Sequence, residues 1–453
     1  MVSPQGRLFG TNGVRFIPGV NADPGFVIRL SECIGTYFAD GEILVGRDGR
    51  LSGDTLNYAV TSGLMSSGRG VGEAGLVPTP ALQYATKVLG YRGGVMITAS
   101  HNPPQYNGVK IMGSDGVEIN RLDEQRVEKV FRDGSMNRAN WKDVGTSRSE
   151  PSVVRTYLQG VLSKVNTKLI SGRKFSVVMD PGNGAQSVAA PHMLDALGCK
   201  LITINAIVDG RFPGRGPEPT PETLGDLGAA VRATGADFGV GYDGDGDRAI
   251  FCDENGTVYW GDQSGSLLAD YLLERNPGGT IVTPVSSSQV VEVVAARRRA
   301  KVIRTRVGSV EVSRTMIDRG AYFGFEENGG CIYPAHIAVR DGAMTTALML
   351  ECLAARGLPF SKVIANALPR FFQAKTKVPV QPEKVREIMK KVEKQADGRI
   401  EKVDGVKTWI DEKSWALVRP SGTEPIIRVF AEADTQEEAD SIARRLVKLV
   451  KAS

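Results

Sequence analysis

Apolar and polar positions along this chain recur in one order: a short β-rich run, a glycine-rich or acidic turn, then a stretch of helical spacing. EILVGRDGR (42–50) precedes NYAVTSGLMSSG, and KFSVVMDPGNGAQS (174–187) precedes APHMLDALGCK and a further strand-like run, LITINAIV. ADFGVGYDGDGDRAIFCDENG (236–256) sets two strand-like runs on either side of an acidic turn, and TIVTPVSSSQVVEVVAARR (280–298) is another strand-to-helix unit. Such alternation predicts α/β domains with parallel or mixed sheets. The recurrences point to related units, without the fixed short period of a solenoid.

From 368 onward the pattern changes. A strand-like AKTKVPV (374–380) is followed by a charged helix, PEKVREIMKKVEKQ, and then by two or three strands with a Val-Asp-Gly-Val turn at 403–406, as an antiparallel hairpin would have. Thr435 and Glu438 stand in capping-box spacing. Ala439, Ile442, Ala443, Leu446, Leu449 and Val450 then fall on one face of a helix. The expected organisation is three α/β domains, 1–145, 146–252 and 253–367, and a smaller α+β domain over 368–453.

Composition leaves this picture intact. Of 453 residues, 41% are hydrophobic and 24% charged, the balance of an ordinary globular chain, and the length accommodates three or four domains. With 56 basic and 51 acidic residues and no long single-sign block, the net charge of +5 gives weak support for small anionic ligands and none for nucleic acid. The 5 scattered cysteines lack CxxC spacing, which argues against a disulfide framework or a zinc site and for a reducing compartment. MVSPQGRLFGTNG has no apolar core of a secretory signal, and no apolar run approaches a membrane span. A cytoplasmic location with no membrane partner is therefore expected.

Four stretches carry chemistry. In VMITASHNPPQYNGVK (95–110) a β-branched run stops at Ser100-His101-Asn102, with Pro103 and Pro104 fixing φ directly afterwards. This reads either as an ordinary loop or as a hydroxyl presented at the carboxyl end of a strand, where α/β sheets bind ligands. Asp243, Asp245 and Asp247 alternate with glycines before Arg248, so three hard oxygen ligands can converge on Mg²⁺ or Ca²⁺. The rivals there are a solvated acidic turn and an EF-hand loop, although Arg248 stands where an EF-hand needs glycine and the flanks read as strands. In RPSGTEPIIRVFAEA (419–433), Ser421, Gly422 and Thr423 with Arg419 and Arg428 suit a phosphate cradle or an ordinary hairpin. FGFEENGGCIYP (323–334) offers Glu326 and Asn328 for vicinal sugar hydroxyls, or is a bare loop.

Together ITASHNPPQYNGVK, DGDGDR, FEENG and RPSGTEPIIR, with LFGTNGVRF and VGRD near the start, resemble the α-D-phosphohexomutase family in order and spacing over essentially the whole chain. The likeness is greatest to its archaeal-type phosphoglucosamine mutases and phosphomannomutase/phosphoglucomutases. The resemblance implies three related α/β mixed-sheet domains and a C-terminal α+β domain around a central cleft. It implies a phosphoryl group on Ser100 and one Mg²⁺ held by Ser100, Asp243, Asp245 and Asp247. It places Lys110 and Arg15 beside the reacting oxygen and His101 next to the phosphoserine, with Arg248 at the phosphoserine or the aspartates. A lysine can act as base only if its pKa is lowered. Glu326 and Asn328 become sugar ligands, RTRVGSV brings Thr305 and Gly308 to the sugar, and Arg419, Ser421, Gly422, Thr423 and Arg428 hold a phosphate.

The implied reaction moves phosphoryl between the 6- and 1-positions of a hexose or hexosamine phosphate through a 1,6-bisphosphosugar, which also primes the enzyme. The implied sugar is glucosamine phosphate, with mannose and glucose phosphates as the alternative and a homodimer compatible with the family. A non-catalytic sugar-phosphate-binding protein is the contrasting reading, opposed by the intact serine, acids and arginines. Asn328 and Gly330 stand where the commoner family pattern has serine and histidine, which leaves sugar selectivity open.

Overall fold

The computed structural model describes residues 7–10, 12–421 and 425–452. Its strands form four sheets. The first contains β1 (Val14–Phe16), β2 (Glu42–Arg47), β3 (Gly70–Leu76), β4 (Gly93–Ile97), β5 (Asn107–Gly113) and β6 (Ser147–Ser149), in the order β1-β5-β4-β2-β3-β6. The second contains β7 (Ser176–Asp180), β8 (Lys200–Thr203), β9 (Phe238–Tyr242), β10 (Ala249–Asp253) and β11 (Val258–Tyr259), in the order β11-β10-β9-β7-β8. The third contains β12 (Thr280–Pro284), β13 (Lys301–Thr305), β14 (Phe323–Phe325), β15 (Cys331–Tyr333) and β16 (Ile337–Arg340), in the order β13-β12-β14-β15-β16.

The three sheets share one plan. A central strand (β2, β7 or β12) pairs in parallel with a neighbour on each side. One of those neighbours then turns back into an antiparallel partner, giving β4–β5, β9–β10 and β14–β15. Ser100 lies in the first of these connections, Asp243 to Arg248 in the second and Glu326 to Gly330 in the third. Three of the four chemistry-bearing stretches therefore occupy the same place in their own sheets, at the carboxyl end of a buried strand. An EF-hand is excluded, because strands flank the acidic turn.

One apolar core runs through all three sheets. Leu44, Met96 and Met112 of the first belong to the same packed cluster as Val177 and Phe238 of the second and Ile281 and Phe323 of the third. Close packing of this kind leaves little slack between the loops it supports. The strands continue past the domain edges that the sequence suggests at 145 and 252: β6 still pairs with β3, and β11 with β10. Composition shifts mark loops, and it is hydrogen-bonded pairing that sets sheet membership.

The fourth sheet, β17 (Phe372–Pro379), β18 (Arg399–Glu401), β19 (Val406–Trp409), β20 (Trp415–Pro420) and β21 (Ile426–Ala433), is antiparallel throughout, in the order β17-β21-β20-β19-β18. The Val-Asp-Gly-Val turn joins β18 to β19, with Gly405 at φ 87°. The last helix (Gln436–Lys451) is capped by Thr435, whose hydroxyl accepts the Glu438 amide at 3.2 Å. Ala439, Ile442, Ala443 and Val450 of its apolar face are buried. This domain has its own core and meets the third domain through Val285, Trp415, Leu417 and Phe430. Polar contacts across that seam join Gln289 N to Glu432 at 2.9 Å and Lys407 Nζ to the Val285 carbonyl at 3.0 Å.

Candidate active site

Ser100 is fully buried and holds a left-handed backbone, φ 52°, which costs a non-glycine residue energy unless its surroundings enforce it. Arg50 does so. Its Nη2 donates to the carbonyls of Ser100 and Asn102, each at 2.7 Å, and its Nη1 to those of Pro103 and Tyr106, each at 2.8 Å. Asp48 receives the Arg50 Nε at 3.1 Å and the Thr98 hydroxyl at 2.6 Å, and the Thr98 oxygen in turn accepts the Ser100 amide at 2.8 Å. One buried guanidinium thus clamps four carbonyls of the serine loop. Arg50→Lys keeps a cation beside Asp48 but cannot span those four acceptors. We expect a fall in kcat of about 10²-fold with KM nearly unchanged, measured by steady-state kinetics, since a displacement of about 1 Å costs that much.

Asp243, Asp245 and Asp247 are buried, and oxygens from all three lie within 4.8 Å of one another. The glycines between them are needed. A Cβ on Gly244 would sit 2.7 Å from the Ser100 carbonyl oxygen, and Gly246 has φ 76°. That close approach brings the Ser100 hydroxyl to donate to Asp243 Oδ2 at 2.8 Å. Asp243 Oδ1 accepts the Arg248 amide at 3.1 Å, and Asp245 Oδ2 accepts Thr79 Oγ1 and Lys110 Nζ, both at 2.7 Å. Burial, then Asp247 and Asp245, push the Asp243 carboxyl well above its usual range. Asp245 Oδ1 and Asp247 Oδ1 are buried without a hydrogen-bond partner. Three crowded carboxylates with unpaired oxygens fit a hard divalent cation.

Cations line the other side. Lys110, only 1% exposed, also lies 3.5 Å from Asp247. Burial pulls its pKa down, but Asp245 and Asp247 together hold it above the usual lysine value. In this arrangement the Lys110 Nζ donates to Asp245. His101 is held neutral, its pKa lowered by burial and then by Arg248, Arg15 and Arg340. Its Nδ1 accepts from Arg248 Nη2 at 2.8 Å, so the ring proton belongs on Nε2. The Arg248 Nε stands 3.9 Å from Asp243 and 3.8 Å from Asp247. Arg15 donates to Asn102 at 2.5 Å, and burial lowers its pKa to about 10.

Glu326 is buried at the end of β14, its carboxyl pushed up by burial and partly brought back by Arg340. Asn328 Oδ1 accepts the Gly330 amide at 3.1 Å. Thr305 ends β13, and Gly308, at φ 141°, precedes the helix Ser309–Arg319 in a conformation that only glycine adopts readily. Arg419 and Arg428 are direct cross-strand partners on β20 and β21, so their side chains share a face. Asp404 lies 3.0 Å from the Arg419 Nε and accepts the Val307 amide at 3.0 Å, tying the fourth domain to the Thr305–Gly308 loop. Ser421 donates its amide to Ile426 O at 2.9 Å, whereas Gly422 and Thr423 lie outside the described residues.

The serine loop, the aspartates, Lys110, His101, Arg248 and, through Arg340, Glu326 form one connected constellation, while Arg419 is tied through Asp404 to the Val307 amide. Sequence reasoning missed Arg50, Thr79, Asp404 and Arg340. Arg50 stood in a noted motif, VGRDGR, yet nothing local shows where its guanidinium goes. No helix among the described residues is long and apolar enough to cross a membrane.

Three mixed sheets offering equivalent loops to a buried serine, an acid trio and basic side chains define the phosphohexomutase architecture. Models of the phosphoglucomutase/phosphomannomutase domains match the chain in turn: alpha/beta/alpha domain I over 6–138, domain II over 155–256, domain III over 260–371 and the C-terminal domain over 375–449. The chain belongs to the phosphoglucomutase/phosphomannomutase family and is an enzyme of the isomerase class, an intramolecular phosphotransferase. It is 44% identical to a phosphoglucosamine/phosphogalactosamine mutase of Sulfurisphaera tokodaii, over 98% of this chain and 99% of the relative. It is 42% identical to a phosphoglucomutase/phosphomannomutase of Thermococcus kodakarensis, again over 98% and 99%. A crystal structure of a phosphoglucomutase/phosphomannomutase family protein from Burkholderia thailandensis superposes with a TM-score of 0.88 at 27% identity, covering 100% of this chain and 98% of that one.

Proposed function

We propose that this phosphohexomutase interconverts glucosamine 6-phosphate and glucosamine 1-phosphate through a phosphoserine at Ser100 and a 1,6-bisphosphosugar. The observation that carries the reading is the Ser100 hydroxyl 2.8 Å from Asp243, inside the acid trio. The P–O bond to Ser100 Oγ breaks as one forms to the free sugar hydroxyl, whose proton passes to Ser100 Oγ; the bisphosphate turns round, and its other phosphoryl returns to Ser100 Oγ as the proton goes back to the sugar oxygen. A phosphoserine carries about −1.5 to −2 charges at neutral pH, and Lys110, Arg15 and Arg248 surround its perch with donors. Mg²⁺ held by Asp243, Asp245 and Asp247 would neutralise charge developing on the transferring phosphoryl. Glu326 and Asn328 bind sugar hydroxyls beside Thr305 and Gly308. Arg419, Ser421, Gly422, Thr423 and Arg428 hold the phosphate that is not reacting. His101 orients Arg248.

A second reading, phosphomannomutase/phosphoglucomutase activity, draws on the name of the Thermococcus relative, nearly as similar as the Sulfurisphaera one. The two separate in kcat/KM for glucosamine, mannose and glucose 6-phosphates, measured with Mg²⁺ and a priming bisphosphate. We expect glucosamine 6-phosphate to lead by about 10-fold, a difference of about 1.4 kcal/mol. If it trails both mannose and glucose 6-phosphates, the second reading holds.

A further inference from the structure

We propose that Arg340 is a positioning residue that couples the sugar-binding end of the site to the metal loop, and that position 330 is glycine to leave room for it. The proposal rests on the reading of Glu326 as a sugar ligand. Arg340 ends β16, and its guanidinium spans two carboxylates from different domains. Nη2 donates to Asp247 Oδ2 at 2.5 Å, and Nη1 to Glu326 Oε2 at 3.1 Å. All three side chains are buried, with relative exposures of 6%, 2% and 2% for Arg340, Asp247 and Glu326. A planar fork presents two donors at fixed separation, one to each acid, and a lysine ammonium in its place would be a single centre without that spread.

The backbone beneath this bridge is fixed. Arg340 pairs with Ile332 across the hairpin that follows the sugar loop. The next residue, Asp341, caps the helix Gly342–Arg356 by accepting the Met344 amide at 2.9 Å, and it also accepts the Tyr157 hydroxyl at 2.5 Å. From this anchor the arginine stem folds back over Gly330. A Cβ there would lie 2.3 Å from Arg340 Cδ and 2.9 Å from its Cγ. Gly330 is not among the glycines of positive φ, so its backbone would accept another residue and the constraint is space alone. The stem cannot swing aside, because the guanidinium is tied at both ends. The volume that a Cβ would take at position 330 is occupied by the stem of Arg340.

Because Arg340 holds Asp247 and Glu326 together, its loss should weaken both metal and sugar binding, whereas loss of Glu326 should weaken sugar binding alone. The test is calorimetric binding of Mg²⁺, and of the sugar phosphate that the wild type turns over, to Ser100→Ala protein carrying each further change. Half-saturating Mg²⁺ and KM are measured in parallel on the Ser100 forms. Arg340→Met is expected to weaken both ligands about 10-fold or more, as loss of partners behind metal ligands does. Arg340→Lys should restore one ligand at most. Gly330→Ala, which removes no charge, should shift both ligands in the same direction. Adding it to Arg340→Met should cost nothing further.

Should Arg340→Met fail to fold, Gly330→Ala and Arg340→Lys carry the test. The proposal is overturned if Arg340→Met or Gly330→Ala moves neither ligand, or moves one while sparing the other. If Glu326→Gln leaves sugar-phosphate binding at the wild-type level, the sugar-site reading falls and the coupling falls with it. If Glu326→Gln weakens sugar binding while Arg340→Met does not, only the coupling is wrong.

Discussion

Ser100→Ala is expected to lower turnover by about 10⁴-fold or more, equivalent to roughly 5 kcal/mol of barrier. The described threonine hydroxyls beside it are already engaged. Thr98 donates to Asp48 and Thr79 to Asp245, so both are committed to holding the two loops. Alanine should keep the fold, because the backbone at position 100 is enforced by Arg50 and Thr98 through main-chain atoms rather than by the serine hydroxyl. The measurements are initial rates with a priming bisphosphate and the intact mass of the protein after incubation with it. Wild type should gain the mass of one phosphoryl group and the variant none. Turnover by the variant within tenfold of wild type would defeat the phosphoenzyme scheme.

Asp243→Asn should cost about 10³-fold in kcat at fixed Mg²⁺, or roughly 4 kcal/mol, the scale of charge stabilisation by a bound metal. The amide keeps the shape of the carboxylate and an acceptor for the Arg248 amide, but offers one neutral oxygen to a cation. The same change relieves repulsion among three buried acids, the crowding that pushes the Asp243 carboxyl up after burial itself. In chelator the variant should therefore melt no lower than wild type, while Mg²⁺ should raise its melting temperature far less. Scanning calorimetry with and without Mg²⁺, beside a Mg²⁺ titration of activity, checks both halves. Wild-type activity at the wild-type Mg²⁺ requirement would show that Asp243 does not hold the ion.

Much of this molecule is written locally. Strand and helix are nearest-neighbour properties of periodicity, so the runs before Ser100 and Asp243 and the face of the last helix read correctly, as does the Thr435 cap. The candidate site residues are equally plain, because a serine before two prolines or three aspartates spaced by glycine leave their own signature. Spacing says nothing about burial created by distant chain. Lys110 looks like a surface lysine in sequence, yet its ammonium meets Asp245 from 135 residues away, and Ser100 meets Asp243 across 143.

The arginines make the division clearest. Arg50 lies just past the end of β2 and Arg340 ends β16, and their roles exist only where four carbonyls or two carboxylates converge around them. Gly330 is one of many glycines in the sequence, and in the fold the space beside its Cα is filled by the stem of Arg340. The elements, the repeated α/β plan and the candidate serine and aspartates were legible along the chain, because these depend on adjacent residues. Tertiary structure alone decided which groups meet, which are stripped of water and which charge balances which, because those follow from packing three sheets on one core.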